Sequence, residues 1–125
     1  MRHGPMKYLL MIYENEKAAE AMSEADVQRV MGEYGTFEVA IQQSGHFISG
    51  EELEPTTAAT TVRIRDGKRL TTDGPFAETR EQLGGFFLVE ARDLDEAIGI
   101  ASRIPSARSG SIEVRPVREF ARPQD

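Results

Sequence analysis

Residues Lys7 to Tyr13 read Lys-Tyr-Leu-Leu-Met-Ile-Tyr, an apolar run with no polar alternation. Both faces of such a strand call for burial, which places it at the centre of a sheet covered on both sides. The polar, Ala-rich stretch from Glu14 to Met22 reads as a loop or a short helical turn. Ser23-Glu24-Ala25-Asp26 then has the form of a helix start: the serine oxygen can accept the Asp26 amide, and the acidic residues favour the positive end of the dipole. Val27, Val30, Met31, Tyr34, Phe37 and Ile41 follow at spacings of three and four along one helical face. Gly45 is expected just past the helix end. Gly32 and Gly35 lie inside the helix. They are either tolerated or there to let the helix backbone pack closely.

His46 to Gly50 reads as a short strand, and Glu51 to Ala58, with Pro55, as a loop. Thr60 to Arg65 and Lys68 to Thr72 flank a turn and predict a hairpin. A two-residue loop pairs Arg63 with Leu70 and splits the apolar residues between faces. A three-residue loop, Arg65-Asp66-Gly67, pairs Val62 with Leu70 and keeps one face apolar, so that register is expected. Asp73-Gly74-Pro75-Phe76 is the strongest breaker cluster in the chain, and Ala77 to Leu83 reads as polar with one helical turn. Phe86-Phe87-Leu88-Val89 is a second strand apolar on both faces. Asp93 and Glu96 have capping-box spacing ahead of a helix with Leu94, Ala97, Ile98, Ala101 and Ile104 on one face, stopped by Pro105. Ser106 to Gly110 reads as a loop. Ile112 and Val114 mark a last strand, which Pro116 places at an edge.

The order is strand, long helix, strand, hairpin, strand, helix, strand. It predicts an α+β fold with a ferredoxin-like subunit: an antiparallel sheet, two helices on one face, and an added hairpin. The face without helices carries apolar residues from the central strands and is too apolar to stay in water, so a homodimer with two-fold symmetry is expected.

The chain has 125 residues, a single-domain length, organised as residues 1–5 (an N-terminal extension or tag scar), a domain over 6–120, and a tail over 121–125. It has no Cys, which excludes disulfides, thiolate metal sites and cysteine nucleophiles, and only two His, His3 and His46. The net charge of −6 argues against a nucleic-acid surface. No run approaches the roughly 20 apolar residues of a spanning helix, and no signal peptide is apparent, so the default is a cytoplasmic protein away from the membrane.

The stretch Asp73-Gly74-Pro75-Phe76-Ala77-Glu78-Thr79-Arg80-Glu81-Gln82-Leu83-Gly84-Gly85-Phe86-Phe87-Leu88-Val89-Glu90 resembles the signature of the YCII-related proteins of the DGPF type. Met6 to Tyr13 is similar to that family's first strand, and Ile112 to Phe120 to its last. The resemblance implies a ferredoxin-like subunit that dimerises into an α+β barrel. Some YCII relatives are thought to use a His–Asp pair in a cleft, and one branch dehydrochlorinates an aromatic ring compound. A link to extracytoplasmic-function sigma factors implies a stress-linked accessory role. The family pattern also implies a histidine in the middle of the long helix, where this chain has Tyr34-Gly35, and that departure weighs against His–Asp chemistry here.

Asp73 is the leading candidate: a general base or ligand anchor, or an Asx-turn cap that fixes the Gly-Pro bend. His46, after the helix cap, is a weak candidate for its catalytic partner. Tyr34 is either core or a polar tip over a pocket. Glu78, Arg80 and Glu81 read as a solvated loop or as the rim of a small-ligand site. Together with Phe76, the candidate ligand-binding set is Asp73, Phe76, Glu81 and Tyr34. Gly84-Gly85 is no phosphate loop, because no Lys-Ser/Thr follows and a strand comes next. Arg115 faces an interface or an anionic ligand, with the interface favoured. No metal site, cofactor or nucleophile elbow is expected. The favoured function is a small-molecule-binding or stress-linked accessory protein with a cleft near Asp73. The alternatives are an enzyme abstracting a proton from, or eliminating on, a small cyclic or aromatic substrate with Asp73 as base, and a partner of a sigma factor.

Overall fold

The computed structural model describes residues 5–119; residues 1–4 of the expected extension and the expected tail, 121–125, lie outside them. Six strands and three α-helices follow in the order β1 (Met6–Glu14), α1 (Glu16–Glu20), α2 (Glu24–Gln43), β2 (Phe47–Glu52), β3 (Thr60–Arg65), β4 (Lys68–Asp73), β5 (Gln82–Ala91), α3 (Leu94–Ser102) and β6 (Ser111–Pro116). The main sheet has the order β2-β5-β1-β6, antiparallel throughout, so β1 and β5 are central and β6, with its proline, is an edge. This is the α+β, ferredoxin-like arrangement that the order of elements predicts.

Strand alternation sorts the two faces. Tyr8, Leu10 and Ile12 of β1 and Phe87, Val89 and Ala91 of β5 are buried beneath Phe37 and Ile41 of α2 and Ala97, Ile100 and Ala101 of α3. The opposite face carries Leu9 across from Leu88 and Met11 across from Phe86, all only partly buried. Arg115 and Glu113 of β6 flank them and bond each other at 2.5 Å.

The helix ends follow their local chemistry. The Asp26 amide donates to Ser23 Oγ at 3.1 Å. Gly45 takes φ 82°, and the Gly45 and His46 amides close back on Gln42 and Ile41, the paired bonds of a Schellman stop. At α3 the Glu96 amide donates to Asp93 Oδ1 at 2.9 Å, while the Glu96 carboxylate takes the Arg92 amide at 2.8 Å.

Four local expectations are corrected. The hairpin turns on two residues, Asp66 (φ 52°) and Gly67 (φ 74°), so Arg63 pairs with Leu70 and Val62 with Thr71. Two positive φ values match the right-handed twist of the strands. No burial opposes them, because the hairpin stands clear of the sheet and helices and every residue except Thr61 is exposed. Val27 and Met31 of α2, and Leu94 and Ile98 of α3, are exposed rather than core. Separately, a Cβ at Gly32 or Gly35 would meet nothing within 4 Å, which decides between the two open readings of these glycines in favour of tolerance. The segment after Pro105 is a 3-10 turn, Pro105–Arg108, not a loop, whereas residues 77–81 form no helical turn.

Candidate functional site

The C-terminal end of β1 is where the core stops. Alternation aims Glu14 at the same face as Leu10 and Ile12, one step beyond the last buried residue. There it meets the 3-10 turn. Ser106 Oγ donates to Glu14 Oε1 at 2.8 Å, and Ser109 Oγ donates to Glu14 Oε2 at 3.2 Å. Tyr34, on the α2 face that also carries Phe37 and Ile41, brings its hydroxyl to 2.5 Å from Ser106 Oγ. Since the serine proton goes to Glu14, the tyrosine donates to the serine. The result is a directed chain, Tyr34 to Ser106 to Glu14; the Ser106 amide also faces the tyrosine oxygen, which leaves that oxygen one lone pair to accept from outside. Ser106, 3% exposed, is the buried polar residue of the described chain, and its oxygen is satisfied only through these partners.

The chain is held from both sides. The Tyr34 ring stacks on Phe87 with centroids 6.5 Å apart and planes 19° apart. The Arg108 guanidinium grips Glu33, the residue before Tyr34, at 2.5 Å. Gly110 passes so close to β1 that a Cβ there would run into the Tyr13 carbonyl oxygen. Burial pushes the Tyr34 phenol above its ordinary value of 10.0; the Ser106 hydrogen bond opposes the rise, and the Glu14 and Glu52 carboxylates add to it. Tyr34 is therefore a neutral hydroxyl at physiological pH, and the hydrogen bonds of this group end on the Glu14 carboxyl oxygens.

The loops around this end are tied to it. Glu16 accepts the Thr56 amide at 2.8 Å and the Thr56 hydroxyl at 2.7 Å. Gln82 accepts the Glu16 amide at 2.9 Å and donates to Thr79 at 2.6 Å. Glu81 accepts from Ser111 Oγ at 2.8 Å.

Of the residues singled out from sequence, Tyr34 and Glu81 come to this end of the sheet. Asp73 is the last paired residue of β4, opposite Thr60, and is exposed. Among the described residues its carboxylate takes no hydrogen bond or ion pair. Pro75 has no amide to offer it. The bend is held instead by the Gly74 amide on Ala59 O at 2.7 Å and by Thr61 Oγ1 on Gly74 O at 2.8 Å, with Gly74 at φ 97°. Phe76 is 78% exposed. His46 lies at the other end of the sheet, its ring nitrogens against Ser44 Oγ at 2.7 Å and Glu96 at 3.3 Å. Ser106, Glu14 and Ser109 were missed by sequence reasoning. Glu14 and Ser106 stand 92 positions apart, and no local pattern marks either.

A groove between α2 and the end of α3, lined by Gly32, Phe37, Arg103 and Ile104, opens on the Glu33–Arg108 pair beside this cluster. Among the described residues no group of three or more His, Asp or Glu is placed to hold a metal ion, and no helix is long and apolar enough to cross a membrane.

The description of the YCII-related domain matches residues 6–121. The chain belongs to the YCII-related domain family. It is also 39% identical over 114 residues to the uncharacterized protein R00369 of Rhizobium meliloti (strain 1021), a match that covers 90% of this chain and 92% of that one. The YCII match takes in all six strands and all three helices, so the Tyr34–Ser106–Glu14 chain belongs to the domain itself and not to an appendage.

Proposed function

We propose that this YCII-related protein binds a small molecule at the Glu14 end of its sheet, with Tyr34 as the contact for a hydroxyl or amine donor. The observation that carries the reading is the directed hydrogen-bond chain from Tyr34 through buried Ser106 to Glu14. A buried serine that links a half-buried tyrosine to a carboxylate at the edge of the core supports the reading, because polar groups placed there are costly unless each is satisfied. Glu81 supplies the rim at this end, and Asp73 and Phe76 lie on the segment that joins the β3–β4 hairpin to β5. The open sheet face with Leu9, Met11, Phe86 and Leu88 supports a homodimer closed sheet to sheet, with Arg115 at its margin. The DGPF-type motif and the cytoplasm as location belong to the same reading.

A second reading has a specific observation behind it. A substrate X–H on the Tyr34 oxygen can pass its proton to the tyrosine as the tyrosine proton moves to Ser106 and the serine proton to Glu14. That is general-base proton abstraction from a small cyclic or aromatic substrate, with Glu14 rather than Asp73 as the terminal base. A sigma-factor partner finds no comparable support in the geometry.

The test is a thermal-shift screen of small cyclic and aromatic alcohols and amines against wild type, Tyr34→Phe and Asp73→Asn. A ligand at about 100 times its dissociation constant stabilises by roughly 2.7 kcal/mol, a visible shift for a domain of this size. Stabilisation of wild type that is lost in folded Tyr34→Phe supports the site. Hits that depend on Asp73 and not on Tyr34 move the site out to the β3–β4 hairpin and overturn it.

A further inference from the structure

The β3–β4 hairpin is not used by this site. A two-stranded ribbon is at best marginally stable alone in water, yet this one carries six cross-strand pairs and is exposed along its length apart from Thr61. Alternation gives it two different faces. One presents Arg63, Arg65 and Lys68 around Leu70, which is 48% exposed. Among the described residues none of these cations pairs with a carboxylate. In a chain of net charge −6, this is a concentrated patch of the opposite sign.

Its complement lies on residues 48–54. Ile48 and Leu53 are exposed there, and Glu51, Glu52 and Glu54 are exposed and likewise without a cation. The hairpin face is basic around an apolar residue; along the β2 edge Glu51 and Glu52 alternate between the two faces, with Ile48, Leu53 and Glu54 exposed beside them, and among the described residues none of these carboxylates pairs with a cation. A two-fold axis satisfies both at once, since each copy offers one arm and one strip.

We propose that the β3–β4 hairpin is an exchange arm whose Arg63–Arg65–Lys68–Leu70 face docks on residues 48–54 of a second copy of this chain. The proposal rests on the homodimer reading and goes beyond it, because a dimer closed only by the sheet faces needs no arm.

The absence of cysteine makes the test direct. Leu70→Cys and Leu53→Cys, both at exposed positions, are made separately, checked for folding by circular dichroism, mixed, and treated with a short bismaleimide. A covalent dimer that forms in the mixture and far less in either variant alone is expected. Sedimentation provides a second reading. Arg63→Glu with Lys68→Glu raises the dimer dissociation constant at least tenfold, and adding Glu51→Lys and Glu54→Lys to the same chain recovers most of the loss. A wild-type dimer that gives no mixed cross-link and does not respond to the charge reversals overturns the arm and leaves the sheet-to-sheet dimer standing. A folded wild-type monomer at micromolar concentration overturns both.

Discussion

Replacing Ser106 by alanine removes one oxygen from the centre of the Tyr34–Ser106–Glu14 chain and changes almost nothing else. Ser106 is 3% exposed and bonds Glu14 at 2.8 Å and Tyr34 at 2.5 Å. A hydrogen bond to a charged group contributes about 1.5–3 kcal/mol and a neutral one about 1 kcal/mol. Part of the loss is recovered, because Glu14 keeps Ser109 and the half-buried Tyr34 can turn to water. The expected destabilisation is about 2–3 kcal/mol, large against a total of roughly 5–15 kcal/mol for a domain. Tyr34→Phe keeps the stack on Phe87 and costs about 1 kcal/mol. Because the two residues share a bond, the double variant costs less than the sum by about 1 kcal/mol. Urea unfolding at one protein concentration reads these values, with an unchanged slope and a midpoint shift on the order of 1 M for the serine variant. A Ser106→Ala cost below about 0.5 kcal/mol, or strict additivity with Tyr34→Phe, would show that the chain is not an energetic unit.

Gly35→Ala stabilises the protein by about 1 kcal/mol, seen as a higher Tm, because the new methyl meets open space and helix propensity acts alone; a fall in Tm would mean the backbone there needs glycine. Gly110→Ala costs about 3 kcal/mol or more, since its methyl and the Tyr13 carbonyl cannot both stay where they are, and loss of the β1–β6 register should appear in amide exchange. In an ultraviolet titration the Tyr34 phenol ionises above its ordinary value of 10.0, and that step disappears in Tyr34→Phe. A raised folded pKa means this contribution to stability is present below pH 10 and is lost as pH rises through the folded value, so alkaline destabilisation is shallower in the phenylalanine variant. Glu33 and Glu96 have carboxyls held below 4.5, Glu33 first by the Arg108 hydrogen bond and Glu96 first by the Arg92 amide. Their contribution is present above about pH 4.5 and lost as pH falls through the lowered values, and Glu96→Gln should flatten that part of the acid unfolding curve.

The elements that sequence made legible are those whose local chemistry and burial agree. The apolar runs of β1 and β5 lie at the sheet centre, Ser23 and Asp93 cap their helices, and Gly45 stops α2, because each is decided within a few residues. The hairpin register failed for the opposite reason: the apolar-face argument presumes burial, and with both faces exposed the Asp66-Gly67 turn decides. Val27 and Met31 follow the period of α2 but lie in its first half, ahead of Phe37 and Ile41, where the helix leaves the core. The site was least legible. Tyr34 was visible only as an ambiguous member of an apolar stripe. Glu14 looked like the first residue of a polar loop and Ser106 like a loop residue, and only the folded chain brings them together. The conspicuous Asp73-Gly74-Pro75-Phe76 cluster marks how the arm rejoins the domain more plainly than it marks chemistry.

The central claim is that Tyr34 meets a ligand. Fluorine NMR of protein labelled with 3-fluorotyrosine tests it most directly, since Tyr8, Tyr13 and Tyr34 give three signals and Tyr34→Phe assigns one. Titration with a hit from the alcohol and amine screen should move the Tyr34 signal saturably and leave Tyr8, buried in the core, in place. A ligand that saturates while the Tyr34 signal stays fixed would contradict the account.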